Sequence, residues 1–550
     1  MSTQSAEEQA AFPVLSDSEI DSLRPYGTVE PTTEGQFLFE RGERRFDFFV
    51  ILSGDAEVID CSTEERRTVT MHGPGEFTGD IDMLGDRSAL VSIKVCMPGE
   101  VLRVPGDRLR EIVAKQPGIS ERILTAFLTR RAILLARGSV GLKIIGSRFS
   151  NDTHRIKELV TRNQLPHIWI DLERDPSALA FLDRMNVSPE DTPVVLHMGD
   201  VLRNPTNHDL AQALGLSTEV VTDVEYDVIV VGAGPGGLAA SVYGASEGLC
   251  TLTLEAVATG GQAGTSSRIE NYLGFPAGLS GAELASRASV QAEKFGARLT
   301  VPSEATSLRR RDDGLYAVGL ESGDEAIARS VVIATGAAYR KLPLPNRERF
   351  DGVGVFYGAT QMEAALCQGE DVVVVGGGNS AGQAVIFLSG HARRLFLVLR
   401  SNDIGKSMSR YLVDRIEHTA NVEVLLETQV KALYGEDRLE GLELENRDGE
   451  RRTIEAPALF TFIGARPHTA WLQDALALDD RGFILTGRNL PPETRAGLWE
   501  SLDREPFLLE TSLPGVFAAG DVRSASIKRV ASAVGEGSIA IKLVHEHLAG

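Results

Sequence analysis

Two glycine clusters, each closing an apolar run, hold the residues of this chain best suited to chemistry. The first stands in "YDVIVVGAGPGGLAASVYGASEGLCTLTLE", where a strand pattern ends at Val231 and Gly232-x-Gly234-x-x-Gly237 opens a helix pattern. Gly232 permits a tight turn, Gly234 lets backbone approach a pyrophosphate, and Gly237 allows close helix–strand contact. The helix N-terminus presents free N–H groups and the positive end of its dipole to phosphates. A second strand ends at Glu255, 23 residues after Gly232, where a carboxylate accepts hydrogen bonds from a ribose diol. The glycines alone are a weak signal; strand, turn, helix, strand and acid together predict a dinucleotide site.

The second cluster lies in "YGATQMEAALCQGEDVVVVGGGNS", residues 357–380. Strand Asp371–Val375 leads into Gly376-x-Gly378-x-x-Ala381, with Asn379 and Ser380 opening the helix pattern. The next strand pattern is "RLFLVLR", and the position 23 residues after Gly376 is Leu399, followed by Arg400. A carboxylate there would repel a 2′-phosphate, whereas a guanidinium clamps one. Lys406 and Arg410 lie close downstream. This set predicts NADPH at the second site and a cofactor without a 2′-phosphate at the first. Taken alone, Arg400 reads equally well as a solvated strand end. Two dinucleotide folds in one chain imply a hydride passed between two nucleotides.

The four cysteines, Cys61, Cys96, Cys250 and Cys367, are far apart, and the chain has no C-x-x-C. Neither a thioredoxin-type dithiol nor a zinc knuckle can be built locally, so no metal site is expected. The plain reading is four small buried hydrophobes. A meeting of two distant cysteines in the fold stays open.

The elements that position these residues follow from texture. At 550 residues the chain is too long for one core, and the length predicts three or four domains. Residues 1 to about 105 alternate in short apolar runs split by glycine turns, as in "FFVILSGDAEVID", which predicts a small β-barrel or sandwich. One helix is expected from Arg108 to Leu135. Residues 141–215 read β-α-β-α-β, with helices after Asp152 and after Asp175, and "LSTEVVTDVE" reads as a linker. The formal charge of −21 disfavours nucleic acid and anionic lipid as partners. The N-terminus lacks the pattern of a signal peptide, and no apolar run reaches the roughly 18 residues of a membrane span. A cytoplasmic protein is expected.

From Tyr226 onward the chain resembles the low-molecular-weight thioredoxin reductase family of flavoproteins. The resemblance rests on "GAGPGGLAA", "GGQAGTSSRIENYLGFP", "VVIATGA", "GGGNSA", "FIGARP" and "GVFAAGD". It implies FAD and NADPH as cofactors. It also implies an FAD-binding domain split between residues 225–340 and 465–550, and an NADPH-binding domain at 341–464, inserted between the halves and hinged to rotate. It carries Gly261, Gln262 and Asn271 to the isoalloxazine, and Thr335 and Gly336 to the pyrophosphate side. Gly520 and Asp521 fall to the ribityl chain, and Arg529 and Val530 to the flavin edge. A homodimer is implied too. "GGQ" without this context would read as a surface turn.

The chain departs from that family where it matters. In the family a redox-active C-x-x-C stands shortly before the second glycine strand; here the place reads Ala359, Thr360, Gln361, Met362. Cys367, nine residues before Gly376, has no partner in sequence. Residues 139–220 resemble a thioredoxin or glutaredoxin fold, with Thr192-Pro193 as its cis-proline loop. Ser147, Arg148, Phe149, Ser150 and Asn151 stand where that fold carries its cysteines. The order of domains resembles the reductase of alkyl hydroperoxide systems with both dithiols lost. Residues 1–138 resemble a cyclic-nucleotide-binding domain, "FTGDIDMLGDRSALV" standing for its phosphate cassette. Gly79 and Asp80 would face the ribose, and Arg87 and Ser88 the cyclic phosphate. Asp80 is one methylene shorter than the usual Glu, so the domain either binds a cyclic nucleotide or serves as a docking barrel.

The expected architecture is therefore multidomain: an N-terminal β-barrel, a thioredoxin-like α/β domain and two Rossmann-like α/β dinucleotide-binding domains. The expected activity is an FAD-dependent NADPH oxidoreductase whose flavin passes electrons directly to oxygen, a quinone or a redox protein. Two rivals stand beside it: a flavin-binding sensor with little turnover, and a disulfide reductase using an unforeseen cysteine pair.

Overall fold

Strands of uninterrupted Val, Ile and Leu are hidden only in sheets covered on both faces, and two such sheets carry the glycine clusters. In the first, Glu225–Val231 lies parallel between Thr251–Leu254 and Glu325–Ile333. Arg298–Thr300 extends one edge, and the antiparallel strands Tyr316–Leu320 and Ala305–Arg310 the other. Val516–Ala518, from far along the chain, joins Glu325–Ile333 in parallel, so two distant stretches complete one sheet. In the second, Asp371–Val375 lies between Arg394–Val398 and Ala458–Thr461, with Val355–Phe356 and Val422–Leu425 at the edges, all parallel. An antiparallel sheet of Thr428–Tyr434, Gly441–Asn446 and Arg451–Glu455 packs against it through Val430, Leu442 and Leu444. The two chain passes between the sheets pair as Ala337–Tyr339 with Ala465–Pro467.

The computed structural model describes residues 6–549 other than 61–66, 86, 138–141, 176–177, 179–181, 184, 186, 198–199, 217–219, 221, 267–268, 270–271, 352–353, 360, 437, 496–498, 500–501 and 503. Its N-terminal unit is an antiparallel sheet of five strands, built around the long pair Phe48–Asp60 and Ser92–Val104. Phe77 sits at its core, tilted against Phe48 and edge-on to Phe127. The single helix expected from Arg108 to Leu135 is two helices, Gly106–Lys115 and Pro117–Arg137. Pro117 disfavours helical geometry in the residue before it, and Gln116 leaves the helix with φ −117° and ψ 80°.

The middle unit has a four-stranded mixed sheet, ordered His167–Asp171, Leu142–Gly146, Val194–His197, Asp200–Arg203. The first three strands and helix Asn151–Arg162 match the expected pattern. Most of the helix expected after Asp175 lies outside the described residues. The strand Asp200–Arg203 and the helix Asn207–Ala213 add to the expected pattern: a four-residue strand without a fully buried side chain and a helix of seven residues give little periodic signal. Among the described residues, no helix is long and apolar enough to cross a membrane, and no cluster of three metal-type ligands occurs.

Candidate dinucleotide and flavin site

Around the first glycine cluster the backbone is packed as closely as glycine allows. A Cβ on Gly232, whose φ is 101°, would fall 2.5 Å from the Ala334 carbonyl and 2.9 Å from Thr335 Cα. One on Gly237 would fall 1.7 Å from the Gly232 carbonyl. Gly234 caps the helix Pro235–Ser246, with Pro235 where a missing N–H is harmless. Across from it lies Gly261, on which a Cβ would sit 3.0 Å from Gly234 Cα. The two bare backbones leave a cradle that side chains would fill, which fits a pyrophosphate and a flat ring system. Glu255 is fixed at its mouth: Oε2 accepts from Ala233 N at 2.8 Å and Oε1 from Val257 N at 3.1 Å. A carboxylate has lone pairs to spare for a diol.

The remaining first-site residues converge from three parts of the chain. The Gln262 amide donates to the Ala337 carbonyl, Thr335 Oγ1 donates to His468 O at 3.0 Å, and the Gly336 carbonyl accepts from His468 N at 3.2 Å. These bonds tie the loop after Glu255 to the crossing strands. Gly520, at φ 77°, donates its N–H to Glu536 at 2.7 Å. Burial pushes the carboxyl of neighbouring Asp521 up, and Lys528 donates to its main-chain carbonyl. The helix Val530–Ala549 lies directly on the glycine helix, since a Cβ on Gly537 would fall 2.1 Å from the Gly236 carbonyl. Val530 opens that helix and Arg529 is exposed before it. Asn271 lies outside the described residues.

The second cluster is built alike, with a different end. A Cβ on Gly376 would meet Phe462 O at 2.5 Å, and Gly378 caps the helix Asn379–Ser389. Asn379 Oδ1 accepts from Ser409 N at 2.7 Å, and Gly378 bridges to Ser407. The segment carrying Lys406 and Arg410 is thereby bound to the glycine turn, with Ser380 exposed beside it. Leu399, 3% exposed, fills the position of the first site's acid. Arg400 is exposed at the strand end, and among the described residues no carboxylate pairs with it. Arg410 pairs with Asp414 at 2.6 Å.

The stretch before this strand lies against the first site: a Cβ on Gly358 would come 3.6 Å from Thr265 Oγ1. Cys367 is fully buried, and burial, with help from Glu363 and Glu370, pushes its thiol up to about 12. Cys96 and Cys250 are exposed and free; Cys61 lies outside the described residues. In the middle unit Arg148 pairs with Asp171, Phe149 lies under the Arg438 guanidinium, and the Thr192–Pro193 bond is cis.

The N-terminal cassette is only partly assembled. Gly79 and Asp80 line an apolar cavity inside the sheet unit, with Phe39, Val58 and Val91, whereas Arg87 lines a neighbouring pocket with Arg45 and Arg110. Ser88 bridges to Arg44. Asp80 is held by Arg131 at 3.3 Å and accepts from Asp82 N at 3.0 Å; burial, then Asp82, raises its carboxyl to about 6. The buried ion pair of Arg131 with Asp80 and Asp82 escaped sequence reasoning. Its only trace was a pair of arginines in the apolar run "FLTRRAILL".

Residues 226–537 match the family model described as pyridine nucleotide-disulphide oxidoreductase, and residues 30–116 match that of the cyclic nucleotide-binding domain. A 34.2 kDa protein in the rubredoxin operon of Clostridium pasteurianum is 32% identical over 328 residues, 59% of this chain and 98% of that protein. Thioredoxin reductase of Treponema pallidum is 34% identical over 320 residues, 58% of this chain and 95% of that protein. Among solved structures, Lactococcus lactis thioredoxin reductase in its FR conformation superposes with a TM-score of 0.53 at 26% identity, covering 59% of this chain and 99% of that one.

Proposed function

The chain belongs to the pyridine nucleotide-disulphide oxidoreductase family, and we propose that within it the electrons leave for an acceptor that is not a disulfide. It is an FAD-dependent oxidoreductase, resembling thioredoxin reductase, of a family that uses FAD and NADPH. When bound, FAD would supply the chemistry of accepting a hydride from a pyridine nucleotide and passing the electrons on. Gly232, Gly234, Gly237, Glu255, Gly261 and Asp521 are the residues to hold FAD. Gly376, Gly378, Asn379 and Ser380 are those to hold the pyridine nucleotide, with Arg400 and Arg410 reading a 2′-phosphate.

One observation carries the acceptor reading. A flavin-to-disulfide relay needs two sulfurs at bonding distance, with Cα atoms within about 7 Å. The stretch beside the flavin loop carries a single cysteine, Cys367, a sealed, protonated thiol with no disulfide partner among the described residues. A quinone taking two electrons and two protons, oxygen, or a redox protein fits this better. The chain is read as four functional domains, 1–138, 139–220, 225–340 with 465–550, and 341–464, acting as a homodimer, with a cyclic nucleotide as candidate regulator at the first. The test is anaerobic mixing of the purified protein with NADPH while following flavin absorbance, then addition of quinone or of thioredoxin. Reoxidation by quinone and not by thioredoxin is expected; rapid thioredoxin reduction would overturn the reading.

A further inference from the structure

The helix Asn151–Arg162 of the middle unit touches both nucleotide-binding units at once. At its N-terminal end Phe149 lies 5.6 Å from the Arg438 guanidinium, and the His154 ring stands 6.5 Å from that of Phe356. Its C-terminal end meets the loop that follows Glu255. Arg162 Nη2 donates to Gly261 O at 3.2 Å and to Ala258 O at 3.3 Å. Asn163, 6% exposed, donates to Val257 O at 3.0 Å, and Val257 itself packs with Ile156, Leu159 and Val160. Gln164 Nε2 donates to Ala282 O at 3.4 Å, its Oε1 accepts from Ser286 Oγ at 3.2 Å, and its main-chain carbonyl takes a bond from Arg131.

Three carbonyls of one short loop thus find their donors in two adjacent residues of another unit. Buried carbonyls left without donors are costly, so this loop depends on the middle unit for its shape. Shape matters here, because Gly261 forms the wall of the cradle opposite Gly234. The charge matters as well. Among the described residues Arg162 pairs with one carboxylate, Glu158, through Nη1 at 3.0 Å, while Nη2 faces the loop.

We propose that the middle unit is a fixed wall of the flavin site rather than a mobile electron carrier, and that Arg162 is a positioning residue. It sets the loop Val257–Gly261 and places a positive charge behind it, favouring reduced, more negative flavin. This rests on the assignment of flavin to the first glycine cluster, but not on which acceptor takes the electrons.

The experiment compares Arg162→Gln, which removes the charge and shortens the side chain away from the two loop carbonyls, and Arg162→Lys, which keeps the charge without the guanidinium fork, in the full chain. Flavin midpoint potential is measured by dye equilibration, and hydrogen exchange of amides 257–261 is followed on flavin-free protein. Arg162→Gln is expected to weaken flavin reduction about tenfold, a fall of about 30 mV for a two-electron couple. Arg162→Lys should recover most of that fall, and exchange in the loop should quicken in both variants. Wild-type potential and wild-type loop exchange in Arg162→Gln would overturn the proposal. So would fast loop exchange in the wild type, which remains readable if a variant retains no flavin. Normal reduction by NADPH alongside such a result would leave the oxidoreductase reading intact.

Discussion

Arg400 offers the sharpest test of which pyridine nucleotide the second site takes. Its side chain is exposed at the end of Arg394–Val398, two residues beyond the strand, and no carboxylate among the described residues neutralises it. Leu399 buries an apolar side chain where a ribose-binding acid would stand, so that position carries no charge to repel a phosphate. A charge-assisted contact between a guanidinium and a phosphate is stronger than a neutral hydrogen bond, on the order of 1.5–3 kcal/mol. Exposure and salt screening place this one just below that range, at about 1.4 kcal/mol, which is tenfold. Arg400→Ala should therefore raise KM for NADPH tenfold or more and leave KM for NADH within a factor of two. Arg410→Ala should do less, because Arg410 is 79% exposed and already paired with Asp414. The assay is steady-state NADPH and NADH oxidation with a dye acceptor at fixed low salt, with a thermal melt to confirm the fold. Equal effects on both coenzymes would refute the reasoning, since a residue reading the 2′-phosphate cannot act on a nucleotide that lacks it.

Three further outcomes follow from the same geometry. A variant with Cys61, Cys96, Cys250 and Cys367 all changed to Ser should keep NADPH oxidation with a quinone or dye acceptor; loss of flavin reduction would reveal a thiol step. With its thiol pushed up to about 12, Cys367 in the native protein should react with iodoacetamide at pH 8 at least a thousandfold more slowly than a free thiol near 8.5, gaining speed only as pH rises toward 12 or the chain unfolds. Mass spectrometry of the alkylated peptide reads this out, and prompt labelling at pH 8 would show that the site opens. If the N-terminal unit binds a cyclic nucleotide, calorimetry should show saturable heat with cAMP or cGMP that Arg87→Ala abolishes, and no heat at millimolar ligand would leave the unit as a docking module.

The sequence by itself determined what depends on neighbours along the chain. Strands Glu225–Val231 and Asp371–Val375 and the helices after them were legible because an apolar run, a glycine turn and a helix cap are local signals. The missing C-x-x-C was legible for the same reason. Local signals also failed locally: Pro117 cut a helix that periodicity alone ran through, and Asp200–Arg203 was too short to show a period. What only the tertiary structure decided is where distant residues meet. Arg131 reaches Asp80 across 51 positions, and Arg162 reaches Gly261 across 99. A guanidinium on a helix has the same sequence signature whether its partner is water or the backbone of another unit. Closing those loops costs chain entropy that grows only slowly with length, so burial and hydrogen bonding, not sequence distance, choose the partner.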